Sequence, residues 1–203
     1  MNKTCRSVAL LLSLFSLQMA PCAATSKPAS SEYKIDSARS KVSFTVMRGK
    51  NVGARGCFTG ITGSVVYNSK RPALSRVTAY IPLSSIDTGV AVRDNDLVGA
   101  KYFDSKRFPR ATFKSKKISL LKGGKMAIEG VLDLHGFKKP VKLTMDRPPR
   151  IVSSQQKKAT FTAEGSAKIN QSDFGLSLLP LHPDGAVRIN PAISINTSIS
   201  ATK

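Results

Sequence analysis

The chain has no tryptophan, two histidines, three cysteines and only 12 acidic residues among 203. Each scarcity removes a class of function. His135 and His182 are too few and too isolated for a metal site built on histidine, and no metal is expected. Cys5 and Cys22 fall in an N-terminal leader, so only Cys57 remains and no internal disulfide is available. A lone thiol with no sequence-adjacent partner reads first as a small buried apolar side chain, and second as a reactive group. No G-x-S-x-G elbow occurs, and KGGK at 122–125 lacks the rest of a phosphate loop. Nucleic acid is not expected as a partner: Phe and Tyr mostly sit on apolar strand faces rather than among the basic residues, and no Trp is there to stack. No long amphipathic helix is present. After Ala20 no apolar run is long enough to cross a bilayer as a helix.

What the chain does have is positive charge and a leader. Lysine and arginine number 32, for a formal net charge of +20. Lys3 and Arg6 precede an apolar run from Val8 to Ala20, and small residues at Cys22 and Ala24 set a cleavage site after Ala24. Residues 1–24 are therefore expected to be a signal peptide. Met19, Ala20 and Pro21 do not fit a lipidation box ahead of Cys22. Export disfavours nucleic acid as the reason for the charge. It leaves transient contact with an anionic membrane surface, lipids with anionic head groups, or solubility alone. Residues 25–32 read as a flexible Ser/Ala/Lys-rich arm, and 33–203 as one domain.

Alternation dominates that domain. KVSFTVM sets Val42, Phe44 and Val46 on one face; ITGSVVY sets Ile61, Gly63, Val65 and Tyr67; RVTAYIPL sets Val77, Ala79, Ile81 and Leu83. ATFKSKKISL (Ala111 to Leu120), MAIEGVLDLHG, VKLTMD, ATFTAEGSAKI and AISINTSIS continue the pattern. A period of two repeated this often means antiparallel strands with one wet face, packed as a sandwich or closed as a barrel. Turns are expected at Asn68–Pro72, Lys122–Lys125 and His135–Pro140, and a long polar loop at Arg147–Lys158. Ala163, Gly165 and Ala167 are small and successive on one inward face, with Gly130 and Ala79 on others. Such residues mean either close packing against bulky neighbours or room for a ligand.

SIDTGVAVRDNDLVGAKYFD, Ser85 to Asp104, gathers four carboxylates in a basic chain. It is the one helix-capable connector: Asp87 or Thr88 as cap, Val90 to Val98 as about two turns, Gly99 as stop. Asp94 and Asp96 are two apart and do not share a helix face, which makes a poor acid–base pair. The DND triplet lacks the Gly and closing Glu of an EF-hand. Arg93 is expected to pair with an acid. Structural roles are favoured, and no catalytic residue is assigned. The enzyme alternative would rest on Cys57, His135 and the acids around Asp94.

Taken in order, YKID, KVSFTV, the run Phe58–Gly60–Ile61–Gly63–Val65–Tyr67, SIDTG, RDNDL, KYFD, FPRATFKS, LDLHGFKKPVKL and SDFGL resemble the YceI-like family of exported lipid-binding proteins, from Tyr33 to about Ala201. The resemblance implies an all-β fold: an extended, antiparallel, eight-stranded, lipocalin-like β-barrel with a short helical connector. It implies a periplasmic carrier, not an enzyme, holding a polyisoprenoid or related amphiphile with no other cofactor. Phe44, Val46, Ile61, Val65, Ile81, Phe103, Phe113, Leu132, Leu143, Phe161, Ala163, Gly165 and Ile195 are the expected ligand-binding residues, and Phe108 is expected to lean on the barrel or the ligand. The family often carries His at the position of Asp96, which implies a different treatment of the ligand head group here. The oligomeric state is open, a homodimer included. Beside the carrier stands a third reading, a basic surface-interaction or stress protein without bound lipid.

Overall fold

The computed structural model describes residues 30–154, 157–176 and 189–203. The signal peptide, its cleavage site and His182 lie outside the described residues.

Twelve strands form one continuous antiparallel sheet. They are β1 (Ser30–Ile35), β2 (Lys41–Arg48), β3 (Asn51–Phe58), β4 (Thr62–Asn68), β5 (Arg76–Pro82), β6 (Ile86–Asp87), β7 (Arg110–Leu120), β8 (Met126–Leu134), β9 (Phe137–Met145), β10 (Arg150–Ser154), β11 (Lys157–Asn170) and β12 (Ile189–Thr202). Eight of them close a ring in the order β11-β9-β8-β7-β5-β4-β1-β12, because β12 pairs back onto β11 from Ala192 to Thr202. Closure removes the unpaired edges that a flat sheet of this size would expose. β12 is long enough to carry two partners on its other edge, β2 along Ile189–Ser198 and β1 at Ala201–Thr202. From β2 the sheet runs on through β3 to β6, so a flap extends the barrel wall. The one α-helix among the described residues, α1 (Ala91–Val98), lies in the connector between β6 and β7.

Hairpins join the strands where the sequence permits left-handed backbone. β8 turns into β9 through His135 and Gly136 alone, at φ 53° and 80°, a two-residue turn whose twist matches the strands it joins. The expected turn at His135–Pro140 is thus shorter, and Phe137–Pro140 are strand. Pro140 is accommodated because the far edge of β9 meets β11 at one register pair, Ser166 with Thr144, and has little ladder to lose. The expected loop at Arg147–Lys158 contains β10, paired to β11 through Ile151 and Phe161. Ile151 and Val152 are both exposed, so no alternation marked this strand. Pairing also starts earlier than the expected arm allows: Ser30, Ser31 and Glu32 already belong to β1, opposite Asn68, Tyr67 and Val66.

In the connector, helix and stop fall where expected, but the cap differs. Val90 is the N-cap and gives no side-chain bond. Thr88 is instead gripped by Asp94, whose carboxylate accepts from both its N–H and its hydroxyl. Asp87 accepts from the Gly89 N–H.

The interior is one apolar continuum. Leu83, Phe103, Phe113, Leu134 and Phe174 pack at the connector end. Tyr33, Val65 and Phe161 fill the other half. The buried polar pair Ser40 and Ser200 satisfies itself, since the Ser40 hydroxyl donates to the Ser200 carbonyl and accepts from its N–H.

Candidate ligand-binding cavity

Inward side chains of the ring and flap enclose a cavity of about 220 Å³, lined almost wholly by apolar atoms. On that measure one water needs only roughly 10–15 Å³. The lining follows from the period of two. Val77, Ala79 and Ile81 come from β5, Phe113 and Ile118 from β7, and Ile128 and Leu132 from β8. Val141, Leu143 and Met145 come from β9, Phe161, Ala163, Gly165, Ala167 and Ile169 from β11, and Ile193, Ile195 and Ile199 from β12. Phe44, Val46, Ile61, Val65 and Phe103 complete the set, so each of the thirteen residues expected at the site borders the cavity.

Sequence reasoning found Phe44 and Val46 of the flap and Phe103 of the connector but missed the rest. Ala54 and Phe58 of β3, with Thr88, Arg93 and Leu97 of the connector, also line the space. β3 went unread because Gly53 and Gly56 interrupt its pattern, yet Gly56 is what lets the strand lie under Phe44. A Cβ there would sit 2.5 Å from the Phe44 ring. Phe44, Phe58 and Phe103 then form a chain of rings, 5.6 Å and 5.9 Å between successive centroids.

Arg93 is the cation of this lining, with Thr88 beside it; Ser75, Glu164 and Thr197 are polar residues elsewhere in it. Arg93 lies one turn from Leu97 on the same helix face. Its Nε donates to the Thr88 hydroxyl at 2.8 Å and Nη2 donates to the Thr88 carbonyl at 3.0 Å. The expected ion pair is absent among the described residues: Asp94 reaches Arg93 only through the Thr88 hydroxyl. Asp96 is exposed and does not border the cavity, so it belongs to the outer surface of α1 rather than to the lining. Phe108 is likewise outside the cavity and stacks edge-on to His135 at 4.8 Å.

At the other end, Tyr33 and Tyr67 flank Phe161 at 5.4 Å and 5.6 Å. Burial, and secondly the neighbouring Tyr33, raise the pKa of Tyr67 above its ordinary value.

The enzyme candidates are not brought together. Cys57 is half-buried on β3, with Ser43 and Asp87 as strand partners. His135 sits in the β8–β9 turn, its Nδ1 3.3 Å from the Phe174 carbonyl. No hydrogen bond joins His135 to Cys57 or Asp94 among the described residues. No group of three His, Cys, Asp or Glu side chains is placed to hold a metal ion among them either.

Comparison with known proteins agrees with this architecture. The model of the YceI-like domain matches residues 33–201. Protein YceI of Salmonella arizonae is 31% identical over 161 residues, spanning 75% of this chain and 80% of that protein. The crystal structure of Burkholderia cenocepacia BcnA superposes with a TM-score of 0.68 at 25% identity, over 83% of this chain and 99% of that one. A polyisoprenoid-binding domain from Saccharophagus degradans, implicated in plant cell wall breakdown, shares the fold with a TM-score of 0.59 at 17% identity, over 84% and 97% of the two chains. A closed eight-stranded barrel around an apolar cavity, matched by the family's domain along nearly all of the described length, places this chain in the YceI-like family.

Proposed function

We propose that the protein is an exported carrier that holds a polyisoprenoid, or a similar long-chain amphiphile, in the barrel cavity and passes it between periplasmic membranes without chemical change. The observation that carries this reading is the apolar cavity inside the closed ring of strands. A chain of CH₂ groups filling it gains roughly 0.8 kcal/mol for each group withdrawn from water. The printed description of the Saccharophagus domain supports the choice of cargo by analogy of fold. That Cys57, His135 and Asp94 are not brought together supports binding over catalysis. Arg93 offers free N–H groups to a head group at one end, while the tail needs no directional bond.

The test is competition. Delipidated protein is loaded with a fluorescent long-chain probe and titrated with a polyprenol and with a short alcohol sharing its hydroxyl. The carrier reading expects displacement by the polyprenol and none by the short alcohol. A probe that never enters, or that both compounds displace equally, contradicts it.

A further inference from the structure

The two ends of the barrel differ in charge. The strands fix which residues share an end. The β4–β5 connection (67–75), the β7–β8 connection (121–125), the β9–β10 connection (146–149) and β10 itself lie together, because Leu120 is paired with Met126, Met126 with Met145, and Val66 with Arg76. At this hairpin end Lys70, Arg71, Lys122, Lys125, Arg147, Arg150 and Lys158 are all exposed. Three carboxylates accompany them: Asp146, which pairs with Lys125 at 2.9 Å, Glu32 opposite Val66, and Glu164 two residues along β11 from the Arg150 partner Thr162, so cations remain in excess. At the opposite end charge is balanced: Asp87, Asp94, Asp96 and Asp104 in the connector, Asp133 beside the β8–β9 turn and Asp173 after β11 stand among Arg48, Lys50, Arg93, Lys101, Lys106 and Arg107.

The hairpin end also exposes aliphatic side chains between its cations. Leu74 follows Arg71, Leu120 and Leu121 precede Lys122, and Ile151 and Val152 follow Arg150; Leu120 is 59% exposed and Val152 52%. We infer that this end is a docking face for an anionic lipid bilayer. Cations spread over three tips meet negative head groups, while aliphatic side chains at the same tips enter the head-group boundary. A soluble nucleic acid would be met by exposed aromatic platforms, and this end keeps Tyr33 and Phe161 buried. The cavity reaches this end as well, since Tyr67, Ser75 and Pro149 border it. Docking would therefore bring one end of the cavity to the membrane. The inference rests on the carrier reading for its purpose only. Vesicle binding is read without cargo, so its failure leaves cavity occupancy untouched, and the reverse holds.

The experiment is co-sedimentation of the signal-free chain with vesicles of phosphatidylcholine alone or with about one-third phosphatidylglycerol, at low and high salt. The triple variant Arg71→Glu, Lys122→Glu, Arg150→Glu is compared with Arg48→Glu, Lys50→Glu, Lys106→Glu, which makes the same charge change at the connector end. Circular dichroism verifies that both are folded. Expected is salt-sensitive binding to the anionic vesicles only. It falls roughly fivefold per cation lost, and so more than 100-fold in the first triple, but only a few-fold in the second. Leu120→Ser with Leu121→Ser weakens vesicle binding without altering retention on heparin. Equal loss in the two triples, no binding by the unaltered chain, or an unaffected leucine variant each overturns the inference.

Discussion

Gly130 on β8 and Gly165 on β11 carry the same sequence signal, a small residue on an inward face, and the structure uses them in opposite ways. At Gly130 the strands close up. A Cβ would stand 2.5 Å from the Lys114 carbonyl oxygen and 2.6 Å from the Phe113 ring. At Gly165 the contacts are looser though still close: a Cβ would stand 3.3 to 3.5 Å from atoms of Thr197, Met145 and Thr144, so Thr197 must give by a few tenths of an ångström. Gly165 borders the cavity with Ala163 and Ala167, whereas Gly130 does not. A small inward residue in a barrel thus marks either a tight wall or free volume, and only the neighbouring strand decides which.

Substitutions sharpen that contrast. The largest effect is expected at the tight wall. Gly130→Leu must displace backbone as well as the Phe113 ring, and destabilises the barrel by about 3 kcal/mol or more. Gly63→Val belongs with it, because Gly63 has φ 132° and a side chain there would run into the Thr78 carbonyl. Urea unfolding measures both. Ala163→Phe comes next. It fills cavity rather than wall, so stability shifts by less than about 2 kcal/mol while lipid capacity falls several-fold. Unchanged lipid retention in a folded Ala163→Phe protein would remove β11 from the site. Gly165→Ala is expected to change stability by no more than about 1 kcal/mol, because the lower entropy of its unfolded chain is offset by the small shift it asks of Thr197. A loss as large as that of Gly130→Leu would erase the distinction between the two walls.

The smallest effect concerns pH. Tyr67 has its pKa raised in the folded protein, so folding favours the neutral phenol. That contribution is fully present below the ordinary value of 10.0 and is lost as pH rises from there through the folded value. The melting temperature is expected to fall more steeply above that pH in the unaltered protein than in Tyr67→Phe. Parallel curves would leave the phenol without a role.

The long strands were readable because each shows water one face and the cavity the other. β5, β8, β11 and β12 keep strict alternation, and their inward residues could be named from sequence. Elsewhere the signal fails for physical reasons. β3 has two glycines, placed for close approach to its neighbours rather than for burial. β10 exposes consecutive apolar residues and so has no period. Phe137 and Pro140 looked like turn residues, but only His135 and Gly136 adopt left-handed backbone. Arg93 was expected to find an acid. It entered the cavity lining because Thr88 stands between it and Asp94, a side-chain arrangement that spacing along the chain does not encode.

The most direct test of the central claim is native mass spectrometry of the exported protein, purified without detergent, with solvent extraction of any adduct. The account predicts a discrete added mass that extracts as a long-chain isoprenoid or similar amphiphile and is diminished in Ala163→Phe. A folded protein of bare polypeptide mass that also refuses added polyprenol would contradict it.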